Sequence, residues 1–294
     1  MKKTKGKRRI RYGKLTVFLI LMAALLFLSI TAAVQGFNYV MSHFSKGDEN
    51  KPSYYLIVGI DDRITPEADA IMVAAVNNNQ KELTLISIPG NTKVNKDKKT
   101  HILLKSTFSE GNIEETRSAV ENLLHVRINK YAVFDYQKFQ SLLDKIGPVD
   151  LYVEKMMSHD DADGNSEIFL NQGYRFLDSK QSLGYMRYID AADGEIGRIQ
   201  REERFLKKIL TDMKENTALF NWGLTRYYWE ALDTDLNNAE MAVIAYDITK
   251  FPMENCRFVI LPGELQNENN QKIWIANPIE TQKIIGLTLN ENPS

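Results

Sequence analysis

YAVFDYQKFQSLLDKIGPVDLYV, residues 131–153, holds in one run the pieces that decide the fold class. YAVFD (131–135) and VDLYV (149–153) are short apolar runs of strand type. Between them YQKFQSLLDKIG (136–147) carries apolar residues at helical spacing until Gly147-Pro148 stops it. The pattern predicts a strand, helix, strand unit of the kind that closes as a right-handed crossover.

Working outward, SYYLIVGI (53–60), DAIMVAAV (69–76) and ELTLISI (82–88) are apolar runs bounded by turn residues, which is how buried strands read. IEETRSAVENLLHV (113–126) has the spacing of a helix packed on a sheet. A long helix is expected from Ile196 to about Asn216, with Ile199, Leu206, Ile209, Leu210 and Met213 along one side. Two more helical segments, near 218–232 and 238–250, precede a final apolar strand, CRFVILP (256–262). With no internal repeat and no break in composition, residues 53–290 are expected to form a single α/β domain of three layers, α/β/α.

Ahead of it, residues 1–14 (MKKTKGKRRIRYGK) carry eight Lys/Arg and no acid. Leu15 to Phe37 follow, 23 residues without a charge, enough as a helix to cross a bilayer. A cleavable signal is the competing reading, because Ala32 and Ala33 are small, but its apolar core is usually shorter. The expected arrangement is a cytoplasmic basic tail (1–14), a single transmembrane helix (15–37), a polar linker (38–52) and a domain outside the cell membrane. Without the tail the chain keeps 29 Lys/Arg against 38 Asp/Glu, a net charge of −9, so no nucleic-acid footprint is expected.

Several chemistries lack their residues. Cys256 is the only cysteine, so no internal disulfide holds the chain. The four histidines, His43, His101, His125 and His159, have no zinc-ligand spacing and are expected on loops or the surface. There is no G-x-S-x-G elbow and no phosphate-binding G-x-x-x-x-G-K-[ST] loop. HDDADGN (159–165) fails the calcium-loop spacing and reads as a solvated turn.

Two stretches remain. GIDDR (59–63) puts Asp61, Asp62 and Arg63 at the C-terminal end of the first strand, where ligands gather in open α/β sheets, and Asp69 opens the next. Asp61 and Asp69 could share a hard cation such as Mg²⁺, or merely cap loops. YMRYIDAADGEIGRIQREERF (185–205) packs in Arg187, Arg198, Arg201 and Arg204. Arg198 and Arg201, three apart at a helix start, are expected to point the same way and to suit a phosphate. The alternative is an exposed helix whose arginines pair with Glu195, Glu202 and Glu203.

At these residues the chain resembles the LytR-CpsA-Psr family of membrane-anchored cell-wall proteins. The likeness runs from about Tyr54 to Ile285 through GIDDR, Asp69, LTLISIP, ENLL, the 131–153 unit, LNQGYRFLDSKQSLGYMRY, GRIQREERFLKKIL and FVILPG. The resemblance implies a domain that binds a polyprenyl-pyrophosphate-linked glycan with Mg²⁺. It further implies transfer of the glycan phosphate to the C6 hydroxyl of N-acetylmuramic acid in peptidoglycan, releasing lipid phosphate. Asp61 and Asp69 match the metal-binding carboxylates; Arg63, Arg187, Arg198 and Arg201 match the arginines that hold the pyrophosphate. Asp61 could also help deprotonate the acceptor, so Asp61, Arg187 and Arg198 form the catalytic set.

The departures concern the same cage. The family's R-S-D-T reads EADA, placing Glu67 where arginine stands; SIPRDT reads SIPGNT, with Gly90 and Asn91; the second arginine of Y-x-R-x-R is Ile189. Glu202 replaces a glutamine, and the usual K-I-N reads HIL at 101–103. At about 1.5–3 kcal/mol per charge-assisted contact, losing three is a large loss unless Lys93, Lys96 or Lys105 compensates. The alternative to a transferase is therefore a noncatalytic relative that binds a polyprenyl lipid or wall polymer, or regulates an active paralogue.

Overall fold

The apolar runs at 53–60, 69–76 and 82–88 become β1 (Ser53–Ile60), β2 (Ala68–Asn77) and β3 (Glu82–Ile88), joined antiparallel with Leu56 opposite Val73 and Val73 opposite Ile86. The computed structural model describes residues 51–60, 67–96, 100–108, 112–160, 166–215 and 232–289. All lie in the second of the chain's two units, Met1–Gly47 and Asp48–Ser294. The expected basic tail and membrane span, His43, Asp61 and Arg63 fall outside them. Among the described residues no helix is long and apolar enough to cross a membrane.

After β3 come the small pair β4 (Lys93–Asn95) and β5 (His101–Leu103), then α1 (Glu114–Leu124) and β6 (Ile128–Asp135). β6 lies parallel to β1, with Val58 opposite Val133. α2 (Tyr136–Ile146) starts where the Asp135 carboxylate accepts the Lys138 N–H at 2.6 Å, and it ends at Gly147, as expected. β7 (Val149–Val153), the hairpin β8 (Met157–Asp160) and β9 (Ser166–Leu170), and β10 (Gly173–Leu177) follow. α3 (Ser179–Arg187), α4 (Gly194–Glu215), β11 (Leu232–Thr234), α5 (Asn238–Lys250) and β12 (Cys256–Ile260) come next. The hairpin β13 (Gly263–Glu268) and β14 (Gln271–Ala276) and then α6 (Pro278–Thr288) close the described chain.

The central mixed sheet has the order β11-β6-β1-β2-β3-β12, and its strand alternation sends side chains to two cores. On one face Leu56, Val58, Val73 and Ile86 meet Val120 and Leu124 of α1 and Ile285 of α6. On the other, Ala74, Val76 and Leu83 meet Phe251 and Cys256, with Leu210 of α4 and Ile248 of α5 packed against them. A separate apolar cluster joins Leu143, Val153, Met157, Leu170, Leu177 and Tyr185 to Phe205 of α4.

Two expectations need correction. β7 does not return to the central sheet, so the 131–153 unit is no crossover: β7 pairs antiparallel with β10 in a sheet of its own. Its alternation, with Val149 and Val153 buried and Asp150 and Tyr152 exposed, is that of a strand wetted on one face. CRFVILP is not the last strand, since β13 and β14 follow it. The helical segment near 218–232 lies outside the described residues except for Leu232, which opens a strand.

α5 offers a local test. The Asn237 side chain accepts the N–H groups of Ala239 and Glu240 at 3.0 and 2.9 Å, and Glu240 accepts the Asn237 N–H at 2.9 Å in return. Asn237→Ala removes this capping box and is expected to cost about 1 kcal/mol, read as a lower midpoint in a thermal circular-dichroism melt.

Candidate functional site

The ends of the central strands converge. β1 ends opposite the first residue of β2, Ile60 with Ala68, and β6 runs alongside to Asp135. β3 ends at Ile88, leading into Pro89, Gly90 and Asn91. Beside this edge is a cavity of about 490 Å³ whose lining includes Asp69, Gly90, Lys105, Glu195, Arg198 and Trp274. It opens at the C-terminal ends of the parallel strands, as expected for an α/β sheet.

The start of α4 is built locally. The Asp190 carboxylate accepts the N–H groups of Ala192 and Asp193 at 2.9 and 2.8 Å, and Lys155 binds both Asp190 and Asp193. The Asp193 N–H, and then Lys155, hold the Asp190 carboxyl down at about 2. Gly194 begins the helix with φ +55°, in the left-handed region that a glycine adopts without a Cβ clash. The turn delivers Glu195 and Arg198 to the cavity wall.

Arg198 is the centre of the site. Its side chain is 8% exposed; it donates to the Asp69 carbonyl at 2.6 Å and to Glu202 Oε1 at 2.5 Å, with Glu195 Oε1 at 3.4 Å. Burial works against its charge, but Glu202, Tyr136, Glu195 and Asp69 outweigh that and hold it more firmly protonated than usual. The buried Glu202 carboxyl is pushed up to about 7, desolvation overcoming the attraction of Arg198. Tyr136, buried at the head of α2, has its hydroxyl pushed up by desolvation and then by Glu202, with Arg198 and Arg187 opposing. The Arg187 guanidinium lies 5.2 Å from the Tyr136 ring centroid and 3.3 Å from Glu167.

The sequence-derived candidates therefore divide. Asp69 and Arg198 stand together on the cavity wall, and Arg187 joins them through Tyr136. Arg201 does not point with Arg198: fully buried, it donates to the Tyr188 carbonyl and pairs with Glu154 at 3.3 Å, its guanidinium 5.2 Å from the Tyr188 ring. Glu154, which directly follows β7, draws it toward the separate apolar cluster around Tyr185 and Phe205 and also binds Arg204 at 3.1 Å and the Tyr185 hydroxyl at 3.1 Å. Nor is this an exposed helix face, because Arg198, Arg201 and Glu202 are all buried. Glu203 instead accepts from Ser87 Oγ at 2.9 Å.

Of the lysines that could compensate for lost arginines, Lys105 lines the cavity and pairs with Glu67 at 2.7 Å, whereas Lys93 pairs with Glu268 at 2.8 Å. Among the described residues no group of three or more His, Cys, Asp or Glu is arranged to hold a metal. Sequence reasoning missed Tyr136, Glu154 and Trp274. Tyr136 has one readable sign, its place immediately after a strand at the end where ligands gather.

The sequence is 28% identical over 177 residues to the polyisoprenyl-teichoic acid–peptidoglycan teichoic acid transferase TagV of Bacillus subtilis, covering 56% of this chain and 44% of TagV. The chain thus spans less than half the length of that relative. It is 26% identical over 220 residues to the teichoic acid transferase TagU of Enterococcus faecalis, covering 68% of this chain and 67% of TagU. The crystal structure of B. subtilis TagV superposes with a TM-score of 0.67 at 20% identity, over 83% of this chain and 99% of that one, which establishes the shared fold. The LytR_cpsA_psr family model matches residues 30–287. With a match over that span, the chain belongs to the LytR_cpsA_psr family.

Proposed function

We propose that this protein transfers a glycopolymer phosphate from a polyprenyl-pyrophosphate carrier to peptidoglycan, in cell-wall biogenesis at the outer face of the membrane. The observation that carries the reading is Arg198, a buried guanidinium beside Asp69 on the wall of a strand-end cavity, in a family whose relatives TagV and TagU are named as such transferases. Lys105 and Lys272 add positive charge to the same wall. Between α2 and α4 a second cavity of about 430 Å³, lined by Phe139, Leu142, Ile146, Phe205, Leu206 and Met213 among others, offers an apolar surface suited to an isoprenoid chain. Residues 15–37 would anchor the domain, with the N-terminus in the cytoplasm.

In the reaction the acceptor hydroxyl attacks the glycan-side phosphorus, the bond to the lipid-side phosphate breaks, and the lipid leaves as a monophosphate. Arg198 orients the phosphate and stabilises its charge, and a carboxylate at the cavity takes the hydroxyl proton. Mg²⁺ is commonly bound by one or two carboxylates together with substrate phosphates, and Asp69, with Asp61 next to β1 in sequence, has that donor chemistry. When bound, the ion would neutralise phosphate charge.

A noncatalytic binding role is the second reading, favoured by the engagement of Arg198 and Lys105 with the chain's own glutamates. The test is to incubate the full-length chain with lipid-linked glycan, Mg²⁺ and peptidoglycan. Release of lipid phosphate with glycan bound to the wall is expected; polyprenyl phosphate retained without turnover would establish the binding role instead.

A further inference from the structure

The anion seat of the cavity already holds an anion. Glu195 Oε1 accepts the Gly90 backbone N–H at 2.5 Å and lies 3.4 Å from Arg198 Nη2. A backbone N–H and a guanidinium converging on one oxygen are the donors that a phosphate oxygen takes. The Glu195 side chain is 22% exposed and lines the cavity, so it can leave toward solvent without unpacking a core. Lys105 is matched in the same way, by Glu67.

Gly90 makes the seat possible. A Cβ placed there would lie 3.2 Å from Glu195 Oε1 and 3.2 Å from the Lys105 Cβ, so an added side chain presses on both and makes one of them give by a few tenths of an ångström. Glycine at 90 and glutamate at 195 are therefore one device contributed by two distant parts of the sequence.

We infer that Glu195 is a built-in cap, a carboxylate that occupies the phosphate position between the Gly90 N–H and Arg198 and must be expelled before a phosphate group can bind. This rests on the reading of the cavity as a phosphate site. Expulsion exchanges one negative group for another, so a singly charged anion gains little, whereas a diphosphate brings extra charge that Arg198 and Lys105 can use. The cap thereby selects diphosphate-bearing ligands over carboxylates.

The test titrates inorganic pyrophosphate, and acetate in parallel, into the full-length chain by calorimetry. Glu195→Gln, which removes the charge and keeps the shape, is expected to bind pyrophosphate about tenfold more tightly than the unaltered chain. Gly90→Ala, which presses on the carboxylate from the other side, should shift affinity in the same direction by a smaller factor, and stands in if the first variant fails to fold. Unchanged or weaker binding in the folded variants overturns the cap, as does acetate binding the unaltered chain as well as pyrophosphate does. Tighter pyrophosphate binding in a chain that releases no lipid phosphate upholds the cap and sinks the transferase; normal transfer with unchanged variant affinity does the reverse.

Discussion

Arg198→Ala should cost about 3–5 kcal/mol of folding stability at pH 8 and lower lipid-phosphate release by two to three orders of magnitude. The two losses have one origin. Glu202 is buried with its carboxylate 2.5 Å from that guanidinium, and removing the partner leaves a charge with neither water nor a counter-ion. The Asp69 carbonyl loses its 2.6 Å donor as well. Because an unpaired buried carboxylate takes up a proton more readily, the stability cost should shrink in acid. Urea unfolding at pH 6 and pH 8 measures this. A variant as stable as the unaltered chain at pH 8 would show that Glu202 does not depend on Arg198.

Glu202→Gln is expected to act in the opposite direction. Burial pushes the Glu202 carboxyl up to about 7 from an ordinary 4.5, so the folded chain binds its proton more tightly than the unfolded chain does. The stability contributed by that proton is fully present below the ordinary value and is lost as pH rises through about 7. At about 1.4 kcal/mol for each pH unit of displacement, the loss is on the order of 3 kcal/mol. Glutamine is neutral throughout, and its carbonyl can still accept from Arg198. The variant should match the unaltered chain near pH 4.5 and exceed it at pH 8 by that order. Parallel urea midpoints at the two pH values decide it, and a difference that does not grow between them would remove Glu202 as the titrating group.

The sequence reading located β1, β2 and β3 within a residue or so because each is an apolar run with polar punctuation at both ends, a pattern that burial on both faces imposes. It misplaced β7 because alternation reports that a segment is extended, not which strand it pairs with. VDLYV would read the same in a central sheet or beside β10. The hairpin of β13 and β14 escaped notice because GELQNE, exposed along most of its length, has no apolar run to find.

At the site, type and place were readable but partnership was not. Arg198 and Arg201 stand three residues apart on one helix, yet their ends are decided by Asp69 and by Glu154, residues 129 and 47 positions away. No local pattern encodes a pairing across such separations. The glutamates expected as surface partners did include the two nearest Arg198, but the burial of Glu202 turns a weak solvated contact into one whose protonation controls stability.

Among the described strands, the central sheet ends in the shortest ones it has, β11 with three residues and β12 with five. Long strands lie inside, each with a neighbour on both sides. A flat, lengthy border would expose a row of unpaired amides and carbonyls against which another copy could add itself; a border this brief presents too few for such growth. That geometry favours separate molecules over edge-to-edge aggregates.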